Sequence, residues 1–365
     1  MIEHFLPGNT YTYELVKELQ KLVEVELLCR RDAGECPELR QKSPLLYPNG
    51  TGKLLAPLVY GYGLSCLSKR VTSSRYDMIH VQTFKKAEYE MPVYLHRNPR
   101  AALIHTVHNV LPHEAAEKDE ALYSRFYGAC DALITHNEYS RQLLSDRFSL
   151  PPEKIRVIPH GIYGSIRECP IRADKTRTNF LTFGMIRDYK GIDVLLKAIA
   201  LLPRELRNRC SFTIAGRQYR EQHDTDYEAM TAELGISDTV RFLLRQIRDE
   251  EIPGLFQQAD ACIFPYKQIY GSGALMMAYT YLRPVIVSNV PAFCEETGNG
   301  KTGLLFASED PAALAGAILR FLETDEAGRR SFSENIRTLA ETKYSFSRSA
   351  VLTAQLYEDV LRDRG

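Results

Sequence analysis

The chain has 365 residues with 46 basic and 46 acidic side chains, so its formal net charge is zero and it lacks the basic excess of a nucleic-acid binder. Hydrophobic residues make up 44% and charged residues 25%, the composition of a globular protein whose length suits two domains. Eight cysteines are scattered without a C-x-x-C pair, which speaks against a zinc site; those in apolar runs, such as Cys29 and Cys262, read as core residues of a reducing compartment.

The chain opens without a basic, then apolar, leader pattern, and no run of 18 apolar residues occurs, so a cytoplasmic chain without a spanning helix is expected. Residues 2–6 read as a strand closed by Pro7-Gly8-Asn9. A helical pattern at 11–22 and a strand at 23–28 complete one βαβ unit. Residues 31–53 are polar, with prolines and glycines, and read as a loop. Residues 54–71, LLAPLVYGYGLSCLSKRV, read either as a buried helix or as a helix lying on a membrane, with Lys69 and Arg70 at the lipid surface. Strands are expected at 77–82, 101–107, 132–136 and 155–158, with helices at 122–130 and 140–147. This alternation predicts a parallel sheet covered by helices.

Residues 165–178 carry charges and a proline without apolar period, which marks a domain linker. The pattern then restarts. Strands are expected at 179–183, 211–215, 240–244, 261–264 and 285–287, and helices at 192–201, 226–234, 252–258 and 274–281. Residues 289–296 read as a loop, 303–306 as a hairpin-like segment, and 311–323, 332–339 and 347–362 as helices. Within this half, the stretch ACIFPYKQIYGSGALMMAYTYLRPVIVS places Gly271-Ser272-Gly273 between a strand and an apolar helix. A helix start presents unpaired N–H groups and the positive end of its dipole, and glycines let an anion approach. A phosphate cradle fits that pattern, as does a turn that serves chain geometry alone.

Taken together, several short motifs resemble the family-4 glycosyltransferases of the GT-B fold. Phe183-Gly184-Met185-Ile186-Arg187-Asp188-Tyr189-Lys190-Gly191 is similar to the family's glycine loop with its Arg and Lys. Pro265-Tyr266, Ser272-Gly273 and Arg283-Pro284-Val285 fall in register, as do Pro7-Gly8-Asn9, Thr106-Val107-His108-Asn109 and Pro159-His160-Gly161 in the first half. The resemblance implies an α/β protein of two Rossmann-like domains facing a cleft, with the C-terminal helix, bearing Tyr357, crossing back to the first. The N-terminal, acceptor-binding domain would span 1–165 plus 345–365, and the nucleotide-sugar domain 175–340.

Moving a sugar off a diphosphate requires stabilising the departing negative charge, which side-chain cations and helix-start N–H groups supply where no metal does. The resemblance therefore casts Arg187, Lys190, Ser272, Gly273 and Ala274 as binders of the donor diphosphate. Gly8, Asn9 and Gly184 become loop residues approaching the donor. His108 would face the donor sugar, and Glu114 offers a general base for the acceptor hydroxyl. The chain departs from the family in two ways. Met185 stands where an arginine usually follows the glycine, and Arg187 is taken as its substitute. Ile269 and Met277 occupy the positions of two glutamates that many members carry, which leaves retention or inversion open.

The expected activity is hexosyl transfer from a UDP- or GDP-sugar to a glycan or lipid-linked glycan, without a metal or other cofactor and with retention. Peripheral contact with the inner membrane face is expected, and no nucleic-acid partner. The rival is a non-catalytic partner subunit of the same fold, against which the retained Arg187, Lys190 and Ser272-Gly273 speak. A nucleotide-sugar 2-epimerase ranks last, for want of carboxylates in the second half.

Overall fold

The computed structural model describes residues 1–4, 10–30, 38–39, 42–45, 54–111, 117–168, 177–218 and 225–365. These form two compact units, Met1–Tyr163 with Ser345–Gly365, and Gly164–Tyr344.

The first unit runs α1 (Thr10–Leu19), β1 (Leu27–Arg30), β2 (Lys42–Leu45), α2 (Ala56–Val71), β3 (Met78–Val81), α3 (Ala87–Leu95), β4 (Ala102–Thr106), α4 (Glu117–Ala129), β5 (Ala132–Thr135), α5 (Glu138–Phe148) and β6 (Ile155–Val157). Strands β3-β4-β5-β6 form a parallel sheet in that order. Of the strand expected at 2–6, residues 2–4 are described, and among them Ile2 makes the strand-type pairing. Ile2 bridges Leu28 on one side and Val81 on the other, both parallel. It thereby joins β1 and β2 to the larger sheet, so the strand order reverses between Ile2 and β3.

Two further segments of this unit differ from expectation. Residues 42–45, read as loop, pair parallel with β1. The sequence KSPL carries no alternation, and its proline is tolerated because the strand is at the sheet edge. Helix α3 went unread because Pro92 lies inside it; burial of Met91 and Tyr94 overrides the propensity. Glu90, on the same helix, is fully buried and accepts from the Tyr60 hydroxyl at 2.6 Å. His4 stands 3.3 Å from Glu90, yet burial drives the histidine down to about 3 and the carboxyl up to about 7. Burial thus favours the uncharged form of each partner.

The second unit runs β7 (Thr178–Phe183), α6 (Ile192–Leu201), α7 (Arg204–Arg207), β8 (Cys210–Ala215), α8 (Tyr227–Glu233), β9 (Val240–Leu243), α9 (Ile252–Gln258), β10 (Ala261–Phe264), α10 (Gly273–Thr280), β11 (Val285–Ser288), α11 (Pro291–Glu296), β12 (Gly303–Phe306), α12 (Pro311–Glu323) and α13 (Glu326–Thr342). Its six strands are all parallel, in the order β12-β11-β10-β7-β8-β9. This is the doubly wound arrangement with its switch point between β7 and β10. Residues 289–296 contain helix α11, and residues 303–306 form a parallel edge strand rather than a hairpin, because α11 carries the chain across.

Apolar spacing builds the core of this unit. Ile192, Leu195, Leu196 and Ile199 of α6 and Leu314, Ile318 and Phe321 of α12 meet Phe180, Phe212 and Ile263 of the sheet. Each such burial is worth about 1.5–3 kcal/mol. Asp310 caps α12 by accepting from the Ala313 N–H at 2.9 Å, with Pro311 at its first turn.

The last helix, α14 (Phe346–Arg364), returns to the first unit. Ser345 caps it. Phe346, Ala350 and Ala354 pack on Tyr11, Leu15 and Leu19 of α1, while Leu356 and Val360 pack on Ala102, Ile104, Ala132 and Ile134.

Candidate active site

In doubly wound sheets, ligands bind where the strand order reverses, at the carboxyl ends of the strands. In the second unit those ends are the loops after Phe183 and Phe264. After β7 the chain passes Gly184 at φ +113°, then forms one turn of 3-10 helix at Asp188–Lys190. Gly191, at φ +66°, turns it into α6. A Cβ at Gly191 would lie 1.9 Å from the Pro265 carbonyl oxygen, so only glycine lets the two loops touch. The Lys267 N–H donates to the Tyr189 carbonyl at 2.7 Å and fixes that contact.

This geometry drives Lys190 inward. Its ammonium donates to the Tyr266 hydroxyl at 2.5 Å and lies 4.0 Å from the centre of that ring. Burial first, and the nearby Arg187 charge second, lower its pKa to about 7. The Tyr266 hydroxyl also bonds to the Ser272 side chain, and burial holds the phenol well above its usual range. Ser272 caps α10 by accepting from the Leu275 N–H at 3.2 Å. A Cβ at Gly184 would stand 3.6 Å from Lys190 Nζ and 3.7 Å from the Ala274 Cβ. Gly184, Lys190, Tyr266, Ser272 and the start of α10 therefore lie together at the switch point. They bring a titratable ammonium and a helix N-terminus to one place, the donors that suit a diphosphate.

In the first unit, a cavity of about 220 Å³ lies at the ends of β3 and β4, lined by Gln82, Phe84, His105, His108, Asn109 and Tyr123. His108 is half-buried. Burial, then the neighbouring His136 and His160, keeps its pKa well below the usual histidine range. Its Nδ1 is 3.2 Å from His136 Nε2 and its Nε2 3.3 Å from Gln82 Oε1. The Tyr11 ring covers His108, His136 and His160 at centroid distances of 4.9, 5.0 and 4.8 Å.

The structure thus gathers Gly184, Lys190, Ser272, Gly273 and Ala274 of the sequence-derived set, with Arg187 close enough to Lys190 to bear on its charge. His108 belongs to the cavity of the first unit. Gly8, Asn9 and Glu114 lie outside the described residues. Ile269 is buried and Met277 half-buried. Sequence reasoning gave Tyr266 only a place in a dipeptide step and did not single out His136, Gln82 or His80. A signal existed for the histidines, since each falls near the carboxyl end of a predicted strand.

Two family models match the chain. "Glycosyltransferase Family 4" covers residues 8–163 and "Glycosyl transferases group 1" covers 170–339. A D-inositol 3-phosphate glycosyltransferase of Salinispora tropica is 25% identical over 88% of this chain and 74% of its own. A GDP-mannose:glycolipid 4-beta-D-mannosyltransferase of Xanthomonas campestris pv. campestris is 28% identical over 67% of this chain and 71% of its own. Among solved structures, the sucrose-phosphate synthase of Thermosynechococcus elongatus superposes with a TM-score of 0.79 at 20% identity, over 99% of this chain and 96% of that one. Anabaena HepE in complex with UDP and glucose gives 0.75 at 15% identity, over 98% and 99%. The chain belongs to the family-4-like glycosyltransferases of the GT-B fold, with two Rossmann-like domains.

Proposed function

We propose that this glycosyltransferase moves a hexose from a UDP- or GDP-sugar to a glycan or lipid-linked glycan acceptor, without a metal. The observation that carries this reading is the convergence of Gly184, Lys190, Ser272 and the start of α10 at the switch point of the second unit. Lys190 and the helix-start N–H groups would hold the departing diphosphate, with Arg187 as a second cation beside Lys190. A relative named for GDP-mannose and a glycolipid, and a fold neighbour holding UDP and glucose, support the donor and acceptor classes.

Retention is the stereochemistry that the family resemblance implies. Inversion is the second reading, favoured by Ile269 and Met277, neither of which can accept a sugar hydroxyl, and by a relative named for a β-linkage. The experiment is incubation with UDP- and GDP-sugars, with and without EDTA, followed by mass and NMR analysis of product. Transfer from one donor that survives EDTA supports the reading, and the anomeric signal decides between retention and inversion. Absence of both donor hydrolysis and transfer across the panel would refute it.

Peripheral membrane contact is the second part of the proposal. Leu54 is 92%, Leu58 70% and Tyr62 62% exposed at and just before the start of α2, Leu55 is exposed as well, and Tyr89 of α3 is exposed where it packs on Tyr60. Lys86 Nζ lies 5.6 Å from the Tyr89 ring and 5.5 Å from the Tyr60 ring. An apolar face edged by a lysine fits the interfacial zone of a bilayer. The face differs from the one the sequence suggested, because Arg70 is engaged with Glu26 at 2.8 Å. No helix among the described residues is long and apolar enough to cross a membrane.

A further inference from the structure

We propose that His136 is a positioning residue that holds His108 in a single neutral tautomer, with the proton on Nδ1 and Nε2 left as the acceptor that meets the Gln82 amide. The assignment starts from a contact that cannot be reversed. His136 Nδ1 is 3.0 Å from the Ile158 carbonyl oxygen, and a carbonyl only accepts. His136 is therefore protonated on Nδ1. A neutral imidazole carries one N–H, so His136 Nε2 is an acceptor. The atom facing it, His108 Nδ1 at 3.2 Å, must be the donor. The neutral His108 ring then has no proton for Nε2.

The rest of the chain of contacts accommodates this. The Gln82 amide bridges two rings, with its ends 3.3 Å from His108 Nε2 and 3.1 Å from His80 Nε2. Oxygen and nitrogen of a primary amide are close in shape, and the hydrogen-bond network decides between them. The proposed series requires the amide to be turned over from its orientation in the structure, with NH₂ to His108 and oxygen to His80, which gives up the 3.5 Å contact of Gln82 Nε2 with Met1 Sδ. His80 Nε2 then carries the proton, also within 2.8 Å of Thr106 Oγ1, and His80 Nδ1 accepts from the Tyr357 hydroxyl at 2.6 Å. Every donor in the series points from α14 towards Ile158: Tyr357, His80, Gln82, His108, His136, carbonyl. Tyr11 packs against three of the rings. Two proton placements conflict with the series. A His108 protonated only on Nε2 would set two lone pairs against each other at His136. A doubly protonated His108 would place a cation under a buried aromatic cover.

The transfer reading above supplies the readout of activity: with Nε2 accepting from the Gln82 amide and Nδ1 donating to His136, the His108 ring keeps one protonation state and one orientation at the cavity of the first unit.

The test is long-range ¹H–¹⁵N NMR of the full chain labelled in histidine, with His108 assigned by its own substitution. Wild type at neutral pH should show protonated Nδ1 and bare Nε2 at residue 108. His136→Phe should move the proton to Nε2 or mix the two forms, and His136→Gln, which restores an acceptor, should return it to Nδ1. Gln82→Leu should leave it on Nδ1. The kcat should fall about tenfold in His136→Phe, the scale of one lost hydrogen bond, with KM for the nucleotide sugar held and partial recovery in His136→Gln. A wild-type His108 protonated on Nε2, or on both nitrogens, overturns the proposal, as does a proton that follows Gln82 rather than His136. If His136→Phe does not fold, the wild-type and Gln82→Leu spectra decide alone. Absence of turnover with any nucleotide sugar while the Nδ1 tautomer is observed would instead sink the transfer reading and leave this assignment standing.

Discussion

Lys190 Nζ and Tyr266 Oη meet at 2.5 Å, although one follows β7 and the other β10. The contact joins the two strands at which the sheet order of the second unit reverses. It also leaves a buried ammonium with a pKa lowered to about 7 by burial and by Arg187.

A diphosphate binds the charged form of Lys190 and raises its pKa, so binding should take up a proton. Affinity for UDP or GDP should be flat below about pH 7 and fall above it, since the free protein has then lost the proton that the complex holds. Titration calorimetry in buffers of different ionisation enthalpy measures the uptake. Lys190→Ala should cost roughly 1–3 kcal/mol of affinity, the scale for hydrogen bonds to charged groups, and abolish the uptake. An unchanged affinity removes Lys190 from the site.

Tyr266→Phe removes the acceptor of a buried cation. The variant should unfold more readily by about 1–3 kcal/mol in denaturant. It should also drive the Lys190 pKa further down, shifting the fall in nucleotide affinity to lower pH. An unmoved profile would mean that the hydroxyl contributes nothing to holding the charge.

Gly191→Ala should cost about 1–3 kcal/mol for the left-handed backbone alone. The Pro265 carbonyl, 1.9 Å from the new Cβ, must also give way, so the two donor loops separate. Chemical denaturation and nucleotide binding should both report the loss. A variant of wild-type stability would show that the loops are not held in this contact.

The first unit should be sensitive to acid. Burial holds His105 and His136 at about 4 and His4 and His160 at about 3, so they stay neutral in the fold. The unfolded chain binds protons at these groups below about pH 6.5. Stability is thus complete above about 6.5 and is lost progressively towards the folded values. Each histidine takes away about 2 kcal/mol by pH 5. Glu90, raised to about 7, works in the opposite sense, because its folded form gains a proton as pH falls from 7 towards 4.5. Four histidines outweigh one carboxyl, so the first unit loses stability between pH 7 and pH 5. Urea unfolding at pH 7 and pH 5 should show the first unit losing its transition before the second. Equal midpoints at both pH values would contradict the burial of these rings.

Flotation with anionic vesicles should carry the protein to the top of the gradient at low salt. Leu58→Glu with Tyr62→Glu should abolish it, since both side chains are exposed and their replacement leaves the fold in place. Flotation that survives the double substitution would move the membrane contact elsewhere.

Periodicity and punctuation in the sequence determine much of this protein's local structure. The 3.6-residue spacing of Ile192, Leu195 and Ile199 and the short apolar runs at 180–183 and 261–264 specify helix and strand because side-chain direction repeats with the backbone. The glycines and Ser272 marked the start of α10, which Ser272 caps. Where local pattern was weak, the reading failed: Lys42–Leu45 is a strand because β1 offers it a partner, and α3 is a helix around Pro92 because its apolar face is buried. Most of all, sequence could not bring Lys190 to Tyr266 or His136 to His108. Those pairs are 76 and 28 residues apart. Each meeting depends on strand order and crossover, and on burial that sets which nitrogen or oxygen keeps its proton. Such quantities arise only when distant segments exclude water together.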